Sequence, residues 1–476
     1  MFDLLVKDGL VVTPEQVAEM DIGVVGERIA ALGKPGSLPG EARRTLNAKG
    51  LAVVPGGIEP HCHLALPVPE IWTGGKPGVA AQSVEAGTRA ALFGGTTTVL
   101  DFTEFGGSRL PLETIETRLA EFKGKAHTDF AFHCILSGAI SPKAISQLGE
   151  AIRSGTPTFK IFTTFSRLNP PLTVKDGHLL AAMQEVTKHG GMMVIHAEDD
   201  ELVEYTLDKM VAEKQTAGHL LHLVHSKLSE DIAFRKVIRL AKHAGAPVYF
   251  VHTTAKEGAV AVAEARAQGQ PVYAEALHNY LVFTSENYKE PDGPKYHTYP
   301  ALKLAEDRDA LGQAAASGAI STIATDEYTT RKDVKLSGRT IEDVCGGHNG
   351  IETRMMVAYT ELVAKRGASL QRFAEVASTN AARILGLYPR KGVIAPGSDA
   401  DLALLDTGAK KKLALADLHA DTDYSIWEGY ETRMVPVTTV LRGKVVVEKG
   451  RLVETAKGGQ FIPRKVAPEV RARPVC

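Results

Sequence analysis

The sequence predicts an α/β fold, a (β/α)8 TIM barrel with a small β-sandwich domain built from both ends of the chain. Apolar strand-like runs alternate with helix-like runs through the middle of the chain, which indicates a parallel sheet, and eight such strands indicate a closed barrel. Short strand-like runs dominate both termini. We expect the sandwich to comprise residues 1–50 and 395–476, and the barrel residues 51–394. A doubly wound open sheet is the structural alternative.

The terminal segments share one pattern of short apolar runs separated by turns. Near the N-terminus, residues 4–6 and 10–12 flank a Lys-Asp-Gly turn, which is typical of a hairpin. After residue 400 the pattern returns, with strands predicted at 401–405, 437–441 and 444–447. The tail from residue 458 to 476 is basic and contains prolines, so we expect an extended arm.

The middle of the chain supplies the eight predicted barrel strands. They are the apolar run at Val53 and residues 97–101, 130–135, 158–162, 192–196, 247–252, 271–275 and 320–326. Helix-like runs lie between them, for example at 144–154, 177–189 and 255–268.

Composition and charge exclude several classes of protein. The chain has 476 residues, 44% of them hydrophobic and 23% charged, which is a globular composition. A formal net charge of -1 gives no indication of nucleic acid or of a membrane surface as a partner. The cysteines are far apart in sequence, which favours free thiols in a reducing compartment. We find neither a signal-peptide pattern nor an apolar run of the ~18 residues that a membrane span needs, so we expect a cytoplasmic protein.

A Gly-Gly turn near residue 56 leads into two histidines, His61 and His63. Residues i and i+2 of a strand lie on the same face, so the two imidazoles can share one metal ion. An ordinary pair of loop histidines is the alternative, because short motifs also match by chance.

Further metal-capable residues lie on or at the ends of later predicted strands. They are Lys160, His196, His252 and Asp326. The carboxyl ends of barrel strands converge, so these side chains are expected to meet His61 and His63 at one site. Taken singly, each has a structural explanation, such as a paired lysine or a helix cap. Three other histidines, His219, His222 and His225, are expected on a solvated helix face instead.

Lys160 needs a chemical change before it can bind a metal, since an ammonium repels cations. A neutral amine reacts with carbon dioxide to give a carbamate, whose negative charge and two oxygens can bridge two metals. The neighbours Phe159, Ile161 and Phe162 are apolar, and burial lowers a lysine pKa toward the neutral amine.

The order Gly-Gly-x-x-x-His-x-His, strand Lys, His, His and Asp resembles that of the binuclear amidohydrolases. The chain is most similar to their hydantoinase and dihydropyrimidinase group of cyclic amidases, over essentially its whole length. Supporting stretches are residues 55–63, 93–98, 159–162, 395–401 and 423–429, of which 395–401 is the less specific.

The resemblance implies a hydrolase that opens the C–N bond of a cyclic amide or imide, such as a hydantoin or dihydropyrimidine. It implies two zinc ions per subunit, with manganese or cobalt as alternatives, bridged by Lys160 carboxylated on its side-chain nitrogen. His61, His63 and Asp326 would hold one metal, and His196 and His252 the other. Asp326 would act as general base and then as general acid. The resemblance also implies a homodimer or homotetramer, with the C-terminal arm as a candidate contact.

Three positions depart from the family pattern and are candidate substrate contacts. Phe165 stands where the family carries a tyrosine whose phenol donates to the substrate oxygen, and losing one such donor costs about 10²–10³ in rate. Tyr299 stands where a serine is usual, and Asn349 belongs to the altered stretch 345–350. One hypothesis is that Tyr299 replaces the missing phenol; Thr163 and Thr164 are alternative donors.

Two other kinds of protein share parts of this pattern. Allantoinases and dihydroorotases are related ring hydrolases, but dihydroorotases carry an arginine two residues after the second histidine, where this chain has Ala65. Dihydropyrimidinase-related scaffold proteins are not catalytic and have lost metal ligands. Here all six ligand positions are filled, which favours the enzyme.

Overall fold

The computed structural model describes residues 1–104, 109–453 and 457–476. It contains a nine-stranded sheet from both termini, an eight-stranded parallel sheet from the middle of the chain and a two-stranded ribbon. This confirms the predicted fold class, a (β/α)8 barrel with a separate sheet domain.

The strands fall into three groups along the chain. The first group belongs to the terminal sheet: β1 (Phe2–Val12), β2 (Val17–Val25), β3 (Arg28–Gly33), β4 (Ala42–Asn47) and β5 (Ala52–Pro55). The second forms the barrel: β6 (Gly57–Cys62), β7 (Thr96–Phe102), β8 (Asp129–Ile135), β9 (Thr158–Phe162), β10 (Met192–His196), β11 (Val248–Phe250), β12 (Val272–Leu277) and β13 (Thr322–Ala324). The third completes the terminal sheet and the ribbon: β14 (Leu402–Asp406), β15 (Lys411–Lys412), β16 (Glu431–Thr432), β17 (Val435–Leu441), β18 (Lys444–Glu448) and β19 (Arg451–Leu452).

The α-helices surround the barrel or connect it to the terminal sheet. They are α1 (Val84–Phe93), α2 (Pro111–Phe122), α3 (Pro142–Arg153), α4 (Asp176–His189), α5 (Asp200–Ala212), α6 (Leu221–Val224), α7 (Lys227–Ala244), α8 (Lys256–Ala267), α9 (Ala305–Ser317), α10 (Lys332–Lys335), α11 (Arg354–Ala358), α12 (Leu370–Ala374), α13 (Asn380–Leu385) and α14 (Pro468–Ala472). Two π-helical turns, Tyr359–Ala364 and Glu375–Thr379, continue α11 and α12. Short 3-10 turns lie at Glu70–Thr73, Gly218–Leu220, His278–Leu281, Ser285–Lys289, Gly293–Tyr296 and Leu415–Asp417.

Local sequence determines where several barrel helices begin. The side chains of Ser83, Ser141 and Ser226 accept hydrogen bonds from backbone N–H groups in the first turns of α1, α3 and α7. Asp199 does the same for α5, three residues after the end of β10. Such caps satisfy N–H groups that have no partner within the helix. They therefore fix the point at which each loop above the barrel turns into its helix.

The barrel strands pair in chain order from β6 to β13, each parallel to the next. The ring closes through a bridge between Cys62 and Glu327, where the N–H of His63 donates to the Glu327 carbonyl at 2.8 Å. Every residue of the eight strands is buried, as expected for a parallel sheet covered on both faces.

The apolar run at Val53 is not the first barrel strand, contrary to prediction. It forms β5, in which Val53 pairs with Val11 of β1 and with Leu404 of β14 in the terminal sheet. The barrel begins with the next strand, β6. A Cβ on Gly56 would lie 2.3 Å from Oγ1 of Thr97, so the close passage from one sheet to the other needs glycine there. The division into residues 1–50 with 395–476 and residues 51–394 stays a prediction.

The C-terminal tail packs on its own barrel instead of forming an extended arm. Ile462, Val466 and Val470 are buried in one cluster with residues of the barrel interior. Tyr273, near the start of β12, donates from its phenol to the Val470 carbonyl at 2.8 Å. Arg464 donates to Oγ1 of Thr158 at 2.7 Å, at the start of β9. The tail therefore closes the amino end of the barrel, opposite the end where the predicted ligands lie.

Candidate active site

All six predicted metal ligands line one cavity of about 660 Å³ at the carboxyl end of the barrel. His61 lies in β6 and His63 directly after it, Lys160 lies in β9, and His196 ends β10. His252 and Asp326 each follow the last residue of a strand by two positions. The predicted convergence of strand ends is thus present in the geometry.

Candidate ligand atoms of the two predicted metal sites lie close together. Nε2 of His61 lies 3.1 Å from Oδ1 of Asp326, and Nε2 of His63 lies 2.9 Å from the same oxygen. Candidate ligand atoms of His61, His252 and Asp326 all lie within 4.8 Å of one another. The ring centres of His196 and His252 are 4.4 Å apart. Imidazole nitrogens and a carboxylate around one point are a donor set that suits zinc and related divalent ions.

The electrostatics of this group favour a bound cation. Burial lowers the pKa of His61, but the carboxylates of Asp326 and Glu275 outweigh it and raise that pKa to about 9. Burial likewise opposes ionisation of Asp326, yet His61 and His63 hold the pKa of this carboxyl well below its usual range. The buried carboxylates therefore draw a positive charge to this point, where a metal ion can take the place of the proton.

Two of the candidate ligands have a backbone conformation that non-glycine residues rarely adopt. The φ angle is 38° at His252 and 53° at Asp326, in the left-handed region. Such strain persists where neighbouring contacts over-determine it, and it concentrates at functional sites. At His252 the backbone N–H donates to Oε1 of Glu275 at 3.0 Å. The strained turns aim both side chains into the cavity.

Lys160 is buried among aromatic rings, as its sequence neighbours indicated. Its Nζ lies 4.6 Å from the centre of the Phe162 ring and 5.4 Å from that of Phe102. Burial lowers the pKa of Lys160 to about 7, although Asp326 and Glu275 act to raise it. A substantial fraction of the amine is therefore neutral near pH 7, which is the state that reacts with carbon dioxide.

Sequence reasoning missed the acidic residues beneath the ligands. Glu275 accepts from Nδ1 of His61 and from the phenol of Tyr249, both at 2.8 Å. Glu59 accepts from the backbone N–H of His61 at 2.9 Å and lies 3.1 Å from Nε of the buried Arg354. Glu59 precedes His61 by two residues. It therefore lies on the same face of the strand as His61 and His63, and the same alternation predicts it. These contacts leave Nε2 of His61 directed at the cavity.

His196, a predicted ligand of the second metal, has a carboxylate partner of its own. Nε2 of His196 donates to Glu198 at 2.8 Å, which leaves Nδ1 for a metal. Nδ1 of His225 lies 3.0 Å and 3.1 Å from the two oxygens of the same carboxylate. His225 is buried, so the prediction that it lies on a solvated helix face is wrong. His219 and His222 are half-buried.

Of the three candidate substrate contacts, two line the cavity and one does not. Phe165 and Tyr299 line the cavity, but the phenol of Tyr299 donates to the Val344 carbonyl at 3.0 Å, so it is already engaged. Its ring stacks on Trp72 with centres 4.8 Å apart. Thr163 is also engaged, because its hydroxyl donates to the Glu198 carbonyl at 2.7 Å. The structure thus offers no support for either side chain as the missing oxyanion donor.

Asn349 lies away from the cavity, contrary to its predicted role. Its amide nitrogen donates to the Tyr424 carbonyl, and its amide oxygen accepts from the N–H of Ile426. Gly346 and Gly347 line the cavity instead. A Cβ on Gly346 would lie 2.4 Å from the Tyr299 ring, so glycine there lets the loop pack against that ring.

Comparison with known proteins identifies relatives over the whole chain. The family model described as "Amidohydrolase family" matches residues 52–446. The D-hydantoinase of Ralstonia pickettii is 32% identical over 467 residues, which cover 97% of this chain and 99% of that protein. Among solved structures, the D-hydantoinase (dihydropyrimidinase) from Thermus sp. is similar with a TM-score of 0.91, at 29% identity, covering 97% of this chain and 99% of that one.

A second solved structure, the dihydropyrimidinase from Brevibacillus agri, has a TM-score of 0.90 at 28% identity, covering 97% of this chain and 99% of that one. Within the residues that the structure describes, no helix has the length and apolar character to cross a membrane. Fold, ligand geometry and full-length similarity agree. The chain belongs to the amidohydrolase family, in its hydantoinase and dihydropyrimidinase branch of metal-dependent cyclic amidohydrolases.

Proposed function

We propose that the protein hydrolyses the C–N bond of a cyclic amide or imide, a ring of the hydantoin or dihydropyrimidine kind, at a centre of two zinc ions. One observation carries the proposal: all six candidate ligands line one cavity, with strained backbone at two of them. The names of the relatives, D-hydantoinase and dihydropyrimidinase, support the same substrate class.

His61, His63 and Asp326 would hold one metal, His196 and His252 the other, and carboxylated Lys160 would bridge the two. Bound metals would supply Lewis acidity for the amide carbonyl and would lower the pKa of a water from 15.7 to about 7. Manganese or cobalt would suit the same donors, since carboxylate and imidazole bind all three.

Carboxylation of Lys160 needs only carbon dioxide as a second reactant. The neutral Nζ attacks the carbon of carbon dioxide, a C–N bond forms, one C=O π bond breaks with its electron pair going to oxygen, and one amine proton leaves to solvent. The product is an anion, whose charge the two metals would offset. The apolar surroundings of Nζ favour the neutral amine that starts this reaction.

Asp326 is the residue that we assign to proton transfer. Its carboxyl is largely buried and faces both His61 and His63. We propose that it accepts a proton as the nucleophile forms and passes it to the ring nitrogen as the C–N bond breaks. General acid–base catalysis of this kind contributes about 10²–10⁴ in rate.

The cavity walls favour an uncharged ring with an apolar substituent. Beyond the ligands, the lining includes Ile71, Trp72, Phe165 and Leu168. Its arginine, Arg167, pairs with Glu204 and with Asp208 at 2.7 Å, so its charge is offset. No other arginine of the described chain lines the cavity. A dihydroorotase-like or other acidic substrate is therefore the weaker alternative.

Metal analysis and a substrate screen test this function together. We expect about two zinc ions per chain, and hydrolysis of at least one member of a panel of hydantoins, dihydropyrimidines, cyclic imides and lactams. Removal of metal with a chelator should abolish the rate, and added zinc should restore it. If the protein binds no metal and opens no ring, the alternative of a non-catalytic scaffold protein is favoured.

Assembly and location belong to the proposal as well. We propose a homodimer or homotetramer in the cytoplasm, without a nucleic-acid or membrane partner. Because residues 457–476 pack on their own barrel, they are a weaker candidate for the subunit contact than the sequence indicated. Light scattering would give the oligomeric state.

A further inference from the structure

The Glu198 carboxylate is fully buried between two imidazoles, of which only one belongs to the proposed metal site. Nε2 of His196 donates to it at 2.8 Å, and Nδ1 of His225 lies 3.0 Å and 3.1 Å from its two oxygens. Within the described parts of the chain, these rings supply its hydrogen bonds. A buried carboxylate that loses a partner is costly, so both contacts constrain its position.

The backbone beneath Glu198 is held independently of these rings. The Glu198 N–H donates to Oγ1 of Thr163 at 2.9 Å, and that hydroxyl donates to the Glu198 carbonyl at 2.7 Å. Only the side chain remains to be oriented. His196 is the ring to be positioned, so it does not also fix the position of the carboxylate. The hydrogen bond that holds the carboxylate in place therefore comes from His225.

His225 is placed for this role by the fold. It directly follows α6, and Ser226 after it caps α7, so its backbone is fixed between two helices. Its ring is buried and lies 5.0 Å from the ring of Tyr299 in the cavity wall. It thus reaches Glu198 from a different element than the strand that carries His196.

We propose that His225 is a positioning residue which, through Glu198, holds His196 in the tautomer and orientation that bind the second metal. With Nε2–H of His196 committed to Glu198, Nδ1 carries the lone pair that a metal needs. Partners behind metal ligands typically change metal affinity by about 10- to 100-fold. This inference rests on the proposed two-metal function.

Zinc binding to the apo-protein, measured in competition with a chromophoric chelator, tests the inference without a substrate. His225→Leu removes the donor at Nδ1. We expect one of the two zinc ions to bind about 10- to 100-fold more weakly and the other to bind as in the native protein. His225→Asn places an amide N–H near the position of Nδ1 and should restore most of the lost affinity.

His222→Leu is the matched control. His222 lies three residues earlier, is half-buried, and its Nδ1 donates to the His219 carbonyl at 3.1 Å instead of to a carboxylate. This variant should bind both zinc ions normally. Thermal unfolding of each variant reports whether a loss of zinc reflects a loss of fold.

A double-mutant comparison shows whether His225 acts through Glu198. If His225 acts through this carboxylate, His225→Leu should weaken zinc binding little further in a Glu198→Gln background. Fully additive losses, an unaffected His225→Leu, or a His225→Asn as weak as His225→Leu would each overturn the inference. Native protein that binds fewer than two zinc ions would instead overturn the proposed function.

Discussion

Glu275 accepts a hydrogen bond from Nδ1 of His61 at 2.8 Å, at the base of the candidate metal site. The same oxygen accepts from the N–H of His252, so one carboxylate orients ligands of both proposed metals. A metal-ligating histidine with a carboxylate behind it has a fixed tautomer and a more basic ligand nitrogen. Residues that touch no metal therefore contribute to this site.

Glu275→Gln should weaken metal binding about 10- to 100-fold, because the amide carries no charge and cannot accept at both oxygens. The apo-protein titrated with zinc would report this. Glu264→Gln is a suitable control, since Glu264 is an exposed surface residue paired with Arg235. Unchanged affinity in Glu275→Gln would show that His61 needs no carboxylate behind it.

Lys160→Ala should lose metal and activity together, because it removes the proposed bridge between the metals. A short carboxylic acid should restore part of the activity, since its carboxylate can stand in for the carbamate. Zinc content and rate, each with and without the acid, are the measurements. Full zinc content with a native rate would rule out the bridging role.

Asp326→Asn should lower kcat by about 10²–10⁴, the range for one general acid–base residue, while the side-chain shape is kept. Metal content measured beside the rate separates loss of the proton carrier from loss of a ligand. A variant within tenfold of the native rate would be incompatible with the assigned role.

The convergence of the candidate ligands on one cavity was predictable because these residues follow a rule of local sequence. Histidine, lysine and aspartate at strand ends are visible from alternation and chain order, and a parallel barrel brings such ends together. Family resemblance assigned the same residues. Glu59 obeys the same alternation as His61 and His63, but a lone glutamate matches no metal-binding motif, so the sequence alone does not single it out.

Other features depend on contacts between distant segments and were not predictable. The sequence around Val53 fits a buried strand in either sheet, and its pairing with Val11 and Leu404 places it in the terminal sheet. The engagement of the Tyr299 phenol depends on the position of the Val344 carbonyl, 45 residues away in sequence. The burial of His225 depends on its contact with Glu198, which lies 27 residues away in sequence.

A buried ion network lies at the junction between the barrel and the terminal sheet. Nζ of Lys391 lies 2.7 Å from Asp129, 3.1 Å from Asp399 and 2.6 Å from Asp401. These carboxylates resemble a metal site, but the ammonium occupies its centre. Burial lowers the pKa of Lys391, yet Asp401 and its neighbours more than offset this and raise it.

Lys391→Met should lower the free energy of unfolding by about 3–5 kcal/mol, because it removes the cation that pairs with the buried Asp401 carboxylate, whereas Asp129 and Asp399 keep contacts to arginines. Urea unfolding measures the change. Lys332→Met is the matched control, since Lys332 pairs with Asp292 at the surface, where an ion pair contributes about 0–1 kcal/mol. Equal effects of the two substitutions would show that the network contributes no more than a surface pair.

The side chain of Phe165 presents no hydroxyl to the cavity. Phe165 lines the cavity, and its ring centre lies 5.1 Å from that of His196. Phe165→Tyr should raise kcat and kcat/KM on unsubstituted hydantoin or dihydrouracil by up to about 10²-fold, if the new hydroxyl donates to the developing oxyanion. Steady-state kinetics on the zinc-loaded protein would measure it.

Tyr299→Phe is the counterpart, and the structure changes what is expected of it. Because its phenol donates to the Val344 carbonyl, the substitution should cost about 1 kcal/mol of stability and leave kcat close to native. A 10²-fold loss of kcat in Tyr299→Phe would mean that the phenol leaves Val344 for the substrate. If both substitutions are silent, Phe165 acts as an apolar wall that favours a bulkier substituent.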